Sequence, residues 1–263
     1  MAKDDKHGYN GSTSCFFAGT LSQILDAHGT FPVVDEALGK LTASKALIFH
    51  PTSMGQNLVD ARPEIFKPLA EMQRANFVAP FPPTSFNCFA SMYTGREINS
   101  KKAKTFKALS TPTLFDALSR VNKKSVVVTP KDCVLFKSLT DSDCDVVIAE
   151  HDVDAVNKAI GIIKGKEYDY VAVVGTAYET AMQLYGPFSK SAVKTAEKTI
   201  ASFDLLLDAV SVYWQDQDVL VGFCPERGSH KVLLGGKSGT AAESDMNVTH
   251  YYYLKSASDA VIR

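Results

Sequence analysis

The chain has 263 residues, 45% hydrophobic and 22% charged, with a formal net charge of −1. That is an ordinary globular composition whose length suits one large domain, and without a basic block nucleic acid is excluded as a main partner. Five cysteines (Cys15, Cys88, Cys133, Cys144, Cys224) are scattered with no Cys-x-x-Cys pair, which excludes a zinc knuckle or disulfide framework and suggests reduced thiols.

The opening stretch "MAKDDKHGYNGSTSCFFAG" lacks the apolar core of a signal peptide. No later run approaches a membrane span, so the expectation is a cytoplasmic protein without a membrane partner. Residues 1–263 read as a single domain with a short N-terminal extension, about 1–44. From there short apolar runs alternate with helical patterns. "KALIFH" (45–50), "KSVVVTP" (124–130), "DVVIAE" (145–150), "DYVAVVG" (169–175) and "DVLVGF" (218–223) are rich in valine and isoleucine, as expected of strands buried on both faces.

Helices are predicted between them. In "FVAPFPPTSFNCFASMYTGRE" (77–97), Pro80, Pro82 and Pro83 hold the entry extended, Thr84 or Ser85 begins the helix, and Gly95 ends it. "TPTLFDALSRVN" (111–122) predicts Thr111 as N-cap with Pro112 in the first turn. "DVDAVNKAIGIIK" (152–164) and "SKSAVKTAEKTIASFDLLLDAVSVYW" (189–214) repeat apolar residues at helical spacing. "NVTHYYYLKS" (247–256) reads as an antiparallel edge strand, with Lys255 guarding the edge. Strand–helix alternation predicts an α/β fold, a three-layer αβα sandwich on a mostly parallel sheet. In such sheets ligands gather at the carboxyl ends of the strands.

A hydroxyl at a helix N-terminus, here Thr84 or Ser85, can face a phosphate, or act as a nucleophile if a metal lowers its pKa. It can equally be a plain N-cap. Signatures of other chemistries, Gly-x-Gly-x-x-Gly, the phosphate loop and the Gly-x-Ser-x-Gly elbow, are missing.

Taken in order, "ALIFHPTSMG", "FPPTSFNCFASMYTG", "TPTLFDAL", "KSVVV", "YETAMQLYGPFS", "CPERGSH", "GGKSG" and "SDMNVTH" resemble the alkaline phosphatase superfamily. The closer likeness is to its type I phosphodiesterase and nucleotide pyrophosphatase branch. The resemblance runs from about residue 45 to 255 and leaves little or no cap insertion. It implies the alkaline phosphatase-like fold, two divalent metals (usually zinc) at strand ends, and a Ser or Thr nucleophile between them.

Against that pattern the hydroxyl persists and the ligands do not. Thr52 stands where an aspartate is implied, Glu179 and Gln183 replace an Asp-x-x-x-His pair, Glu226 and Arg227 replace Asp-His, and Ser238 replaces a histidine. A guanidinium in a first shell repels a divalent cation, so no metal and no other cofactor is expected. His50, His230, His250, Asp169 and Asp245 lie near the motifs as compensating groups, and Glu179, Glu226 and His230 form the residual metal set. Arg227, Asn87 and Ser238 are the candidate ligand-binding residues, with Arg227 pairing with a glutamate or holding an anion.

The functional expectation is a catalytically impaired, pseudoenzyme-like member of the superfamily with a binding, scaffold or regulatory role. Expected partners are an anionic or phosphorylated small molecule, a second copy, or an active paralogue. The alternative is an active metal-dependent phosphohydrolase or phosphodiesterase using Thr84 as nucleophile with an atypical zinc or manganese site.

Overall fold

The computed structural model describes residues 6–8, 42–100, 105–109, 111–131, 133–139 and 142–258. Cys15 and most of the expected N-terminal extension lie outside them. In chain order the strands are β1 (Lys6–Gly8), β2 (Lys45–Pro51), β3 (Gln73–Val78), β4 (Ser125–Pro130), β5 (Asp145–Ala149), β6 (Tyr170–Gly175), β7 (Val219–Phe223), β8 (His230–Lys231), β9 (Gly236–Lys237) and β10 (Asn247–Lys255). The helices are α1 (Gln56–Ala61), α2 (Ser85–Thr94), α3 (Leu114–Arg120), α4 (Val134–Ser138), α5 (Asp152–Gly165), α6 (Ala177–Tyr185), α7 (Lys190–Tyr213) and α8 (Glu243–Met246).

Eight strands form one sheet in the order β1-β3-β10-β7-β2-β6-β4-β5, and β8 and β9 form a separate hairpin. Only β10 runs antiparallel to its neighbours β3 and β7; the other pairings are parallel. The near-continuous apolar runs of β2, β4, β6 and β7 have a direct cause, since successive side chains leave opposite faces of a sheet and both faces are covered. By contrast β5, expected to be buried on both faces as well, is an edge strand whose Ile148 is exposed. Leu47, Phe49, Val171, Val173, Val219 and Val221 pack against α5, α6 and α7, while Ala46, Ile48, Ala172, Val174 and Leu220 pack against α2, α3 and α4. The predicted αβα sandwich is the observed architecture.

Three local expectations are corrected. The N-cap of α3 is Thr113, not Thr111: Thr113 Oγ1 accepts from the Asp116 N–H at 3.3 Å, and the Asp116 carboxylate accepts from the Thr113 N–H at 2.5 Å. This reciprocal capping box satisfies two backbone donors, which Thr111 could not do because its N3 residue would be Leu114, without a side-chain acceptor. β10 is antiparallel as expected but lies inside the sheet, because β3 and β1 continue it beyond β10. Lys255 is accordingly buried, donating to the carbonyls of Gln215 and Gln217 just past α7 and to that of its neighbour Ser256, so it is a cap and not an edge guard. β3 itself, "QRANFV", has no sequence-based counterpart; only Ala75 and Phe77 of it are buried, too few to stand out as a pattern.

Candidate functional site

Because β7, β2 and β6 are adjacent and parallel, the loops after their carboxyl ends emerge side by side. These loops are residues 52–55, residue 176 leading into α6, and residues 224–229. The N-terminus of α2 closes the group. Thr84 is its N-cap, Oγ1 accepting from the Asn87 N–H at 3.2 Å, and Gly95 ends the helix at φ 67°. Ser85 is thus the first helical residue, one position beyond the cap.

The centre of the cluster is Arg227. Its Nε donates to Ser238 Oγ at 2.8 Å, Nη1 donates to Ser85 Oγ, and Nη2 donates to Glu179 Oε1 at 2.5 Å. Glu226 Oε1 lies 2.9 Å from Nη1 as an ion pair outside hydrogen-bond alignment, while its Oε2 accepts from the Ser53 N–H at 3.0 Å. Gln183 Nε2 donates to the same Glu179 oxygen at 3.2 Å. One guanidinium thereby joins Ser85, Glu179, Glu226 and Ser238, with Gln183 one bond further out.

Burial decides the electrostatics. The Arg227 and Glu226 side chains are 6% and 0% exposed. Desolvation raises the Glu226 carboxyl to about 7, against the pull of Arg227 and with the help of Glu179. Burial works against the charge of Arg227, but Glu226 and Glu179 outweigh it and hold the guanidinium above its usual pKa.

The remaining candidates lie elsewhere. Thr52 Oγ1 donates to the Gly175 carbonyl at 3.1 Å. Buried Asn87 turns its Nδ2 to the Pro82 carbonyl at 3.1 Å. His50 bonds the Cys224 carbonyl and the Tyr93 hydroxyl, and His250 the Pro225 carbonyl and the Tyr252 hydroxyl. Asp169 pairs with Lys45. His230 Nδ1 faces Asp245 Oδ1 at 2.8 Å, and Thr240 fixes that carboxylate with its N–H and hydroxyl. Among the described residues, no three His, Cys, Asp or Glu side chains are grouped to hold a metal ion. As donors for the two metals implied by the resemblance, the central residues fit poorly, since a permanent cation stands among them and takes up both carboxylates.

Two residues of the site carried no sequence signal. Ser53, at φ 63°, directs its N–H to Glu226. Lys237 lines a cavity of about 390 Å³ together with Glu179, Gln183, Arg227, Leu234, Gly236 and Ser238. A second cavity of about 510 Å³ lies over Thr84, Ser85, Phe86, Val134 and Lys137.

The Arg227 loop is seated by a glycine contact. The Gly228 N–H donates to the Asp245 carbonyl at 2.9 Å, and a Cβ at Gly228 would fall inside the van der Waals shell of the Ser244 carbonyl oxygen, with the Gly55 backbone on another side. Gly228→Ala should therefore destabilise the protein by about 1–3 kcal/mol, since backbone on two sides cannot yield as a side chain would. Urea unfolding measures this, and an unchanged midpoint would refute the tight packing.

The architecture is shared with proteins of distant sequence. An alkaline phosphatase superfamily protein from Vibrio parahaemolyticus superposes with a TM-score of 0.57 at 15% identity, over 81% of this chain and 60% of that one. The lipoteichoic acid synthase LtaP from Listeria monocytogenes gives 0.58 at 14%, over 83% and 66%. The chain has the alkaline phosphatase-like fold. Murine ectonucleotide pyrophosphatase/phosphodiesterase 5, in complex with AMP, has the same fold at a TM-score of 0.51 and 11% identity, over 72% of this chain and 58% of that one. The chain thus spans less than two thirds of the Vibrio, Listeria and murine structures. No family model and no curated protein matches the sequence. Within the alkaline phosphatase-like fold, the loop after β7 carries Glu226 and Arg227 to the site and the first turn of α6 carries Glu179. No helix among the described residues is long and apolar enough to cross a membrane.

Proposed function

We propose that this chain is a non-catalytic member of the alkaline phosphatase-like fold, a binding or regulatory protein in which Arg227 supplies the positive charge that metals supply in active relatives. The supporting observation is the guanidinium bridging Ser85, Glu179, Glu226 and Ser238. An ion pair at this place neutralises clustered carboxylates that would otherwise repel one another. It also occupies the space between the hydroxyl and the acidic side chains, where a reacting phosphate would have to lie.

The ligand class that suits the site is an anionic or phosphorylated small molecule, entering the cavity beside Lys237 and reaching Arg227. Paired donors of a guanidinium suit such a group. A regulatory role through an active paralogue is compatible with the same reading.

The test is metal analysis of protein purified with added zinc and manganese, together with assays on aryl phosphate monoesters and diesters. Less than one metal per chain is expected, with turnover no higher than in Thr84→Ala or Ser85→Ala. Two tightly held metals per chain, with metal-dependent turnover that Thr84→Ala or Ser85→Ala abolishes, would overturn the proposal in favour of an active phosphohydrolase.

A further inference from the structure

The β8–β9 hairpin ends in two adjacent leucines, Leu233 and Leu234, that are 97% and 88% exposed. Isolated exposed leucines are unremarkable in proteins, but a contiguous apolar patch is not. This tip is held against α6: a Cβ at Gly235 would collide with the Gln183 carbonyl oxygen, and one at Gly236 would crowd Met182 and Pro187. The end of α6 and the turn after it expose Leu184, Tyr185 and Phe188. Five apolar side chains therefore share two elements in direct contact.

The charged side chains of the hairpin and of the α6–α7 junction are lysines, while Glu179 across the cavity is paired with Arg227. Segments 180–196 and 228–242 contain Lys190, Lys194, Lys231 and Lys237 and no aspartate or glutamate, although the whole chain carries a net charge of −1. Lys231 and Lys237 bracket the leucine tip within the hairpin.

We propose that this lysine-flanked apolar tip docks the protein on an anionic lipid surface, with Leu233 and Leu234 inserted at the headgroup–acyl boundary. Two nearly fully exposed neighbouring side chains form a convex point. A fluid interface closes around such a point, whereas a protein partner would need a matching socket. Lysines beside apolar side chains add attraction to anionic headgroups. No spanning helix is required, so the expectation of no membrane partner, based on the lack of a span, does not bear on an interfacial tip. The cavity holding Arg227 is lined by Leu234 and Lys237, and docking turns its mouth toward the headgroups. The inference stands whether or not the protein is catalytic.

The test is flotation of the full chain with vesicles of phosphatidylcholine, with and without phosphatidylglycerol. Binding is expected only to the anionic vesicles and should fall with added salt. Leu233→Ser with Leu234→Ser should weaken it by at least about tenfold, as should Lys231→Glu with Lys237→Glu. Because these side chains are exposed, circular dichroism should be unchanged, and tryptophan emission in Leu234→Trp should shift to shorter wavelength on anionic vesicles. Absence of binding, or binding that the leucine variants leave intact, would overturn the proposal. A concentration-dependent dimer abolished by the same leucine variants would also overturn it, assigning the patch to a second copy of the chain.

Discussion

Arg227→Met is expected to destabilise the protein by about 3–5 kcal/mol, because removing one partner of a buried ion pair leaves its counter-charge uncompensated. The side chain is 6% exposed, and its partners Glu226 and Glu179 are 0% and 18% exposed, so solvent screens little of this loss. Methionine fills a similar volume, which confines the change to the charge and its bonds. Ser238 Oγ and Ser85 Oγ lose their donor in the same step. Urea unfolding at about pH 8.5, where Glu226 is ionised in the wild type, measures the loss. The companion variant, Arg227→Met with Glu226→Gln, removes both buried charges and should recover more than half of the stability. Two residues in direct contact are expected to be non-additive in this way. If Arg227→Met unfolds at the wild-type midpoint, the guanidinium is not the centre of the cluster.

How much of this was legible beforehand depended on how strongly each residue's surroundings write themselves into sequence. β2, β4, β6 and β7 are buried on both faces and read as unbroken apolar runs. β3 shows mostly polar side chains and passed unnoticed, and without it β10 was expected at the edge. The convergence of Glu179, Glu226, Arg227 and Ser238 was legible only through the resemblance, whose ordered motifs imply that these positions meet at one site. Sequence left the hydroxyl open between Thr84 and Ser85, since both are good helix starters. The cap geometry separates them: Thr84 turns to the helix backbone, and Ser85 meets Arg227. Ser53 could not be foreseen, because its role rests on a left-handed backbone conformation uncommon for serine. His230 is drawn to Asp245, a partner fifteen residues away whose carboxylate Thr240 holds in place. Proximity to a motif in sequence did not carry the direction of that side chain.

The second large effect is on acid stability. The wild type should lose about 3 kcal/mol of stability between pH 6.5 and 4.5, and Glu226→Gln about 5 kcal/mol over the same range. His50 and His250 are buried neutral, desolvation lowering them to about 4 and about 3. Their bonding accommodates that form: a carbonyl accepts from one ring nitrogen, and the other nitrogen can accept from the Tyr93 or Tyr252 hydroxyl. A depressed folded pKa gives stability that is present above the unfolded value of 6.5 and lost as pH falls, so unfolding takes up two protons in this window. Glu226 acts with the opposite sign. Its folded pKa is raised to about 7 from 4.5, so its contribution is present at low pH and is lost as pH rises through 7; in the window its unfolding releases one proton. The balance is an uptake of one proton in the wild type and two in Glu226→Gln, each worth about 1.4 kcal/mol per pH unit. Urea unfolding across the range gives the two slopes directly. Equal slopes would mean that Glu226 is ionised in the folded protein throughout, with Arg227 outweighing its desolvation. A flat wild-type profile with a steep one in the variant would instead mean that only one of the two histidines is held neutral.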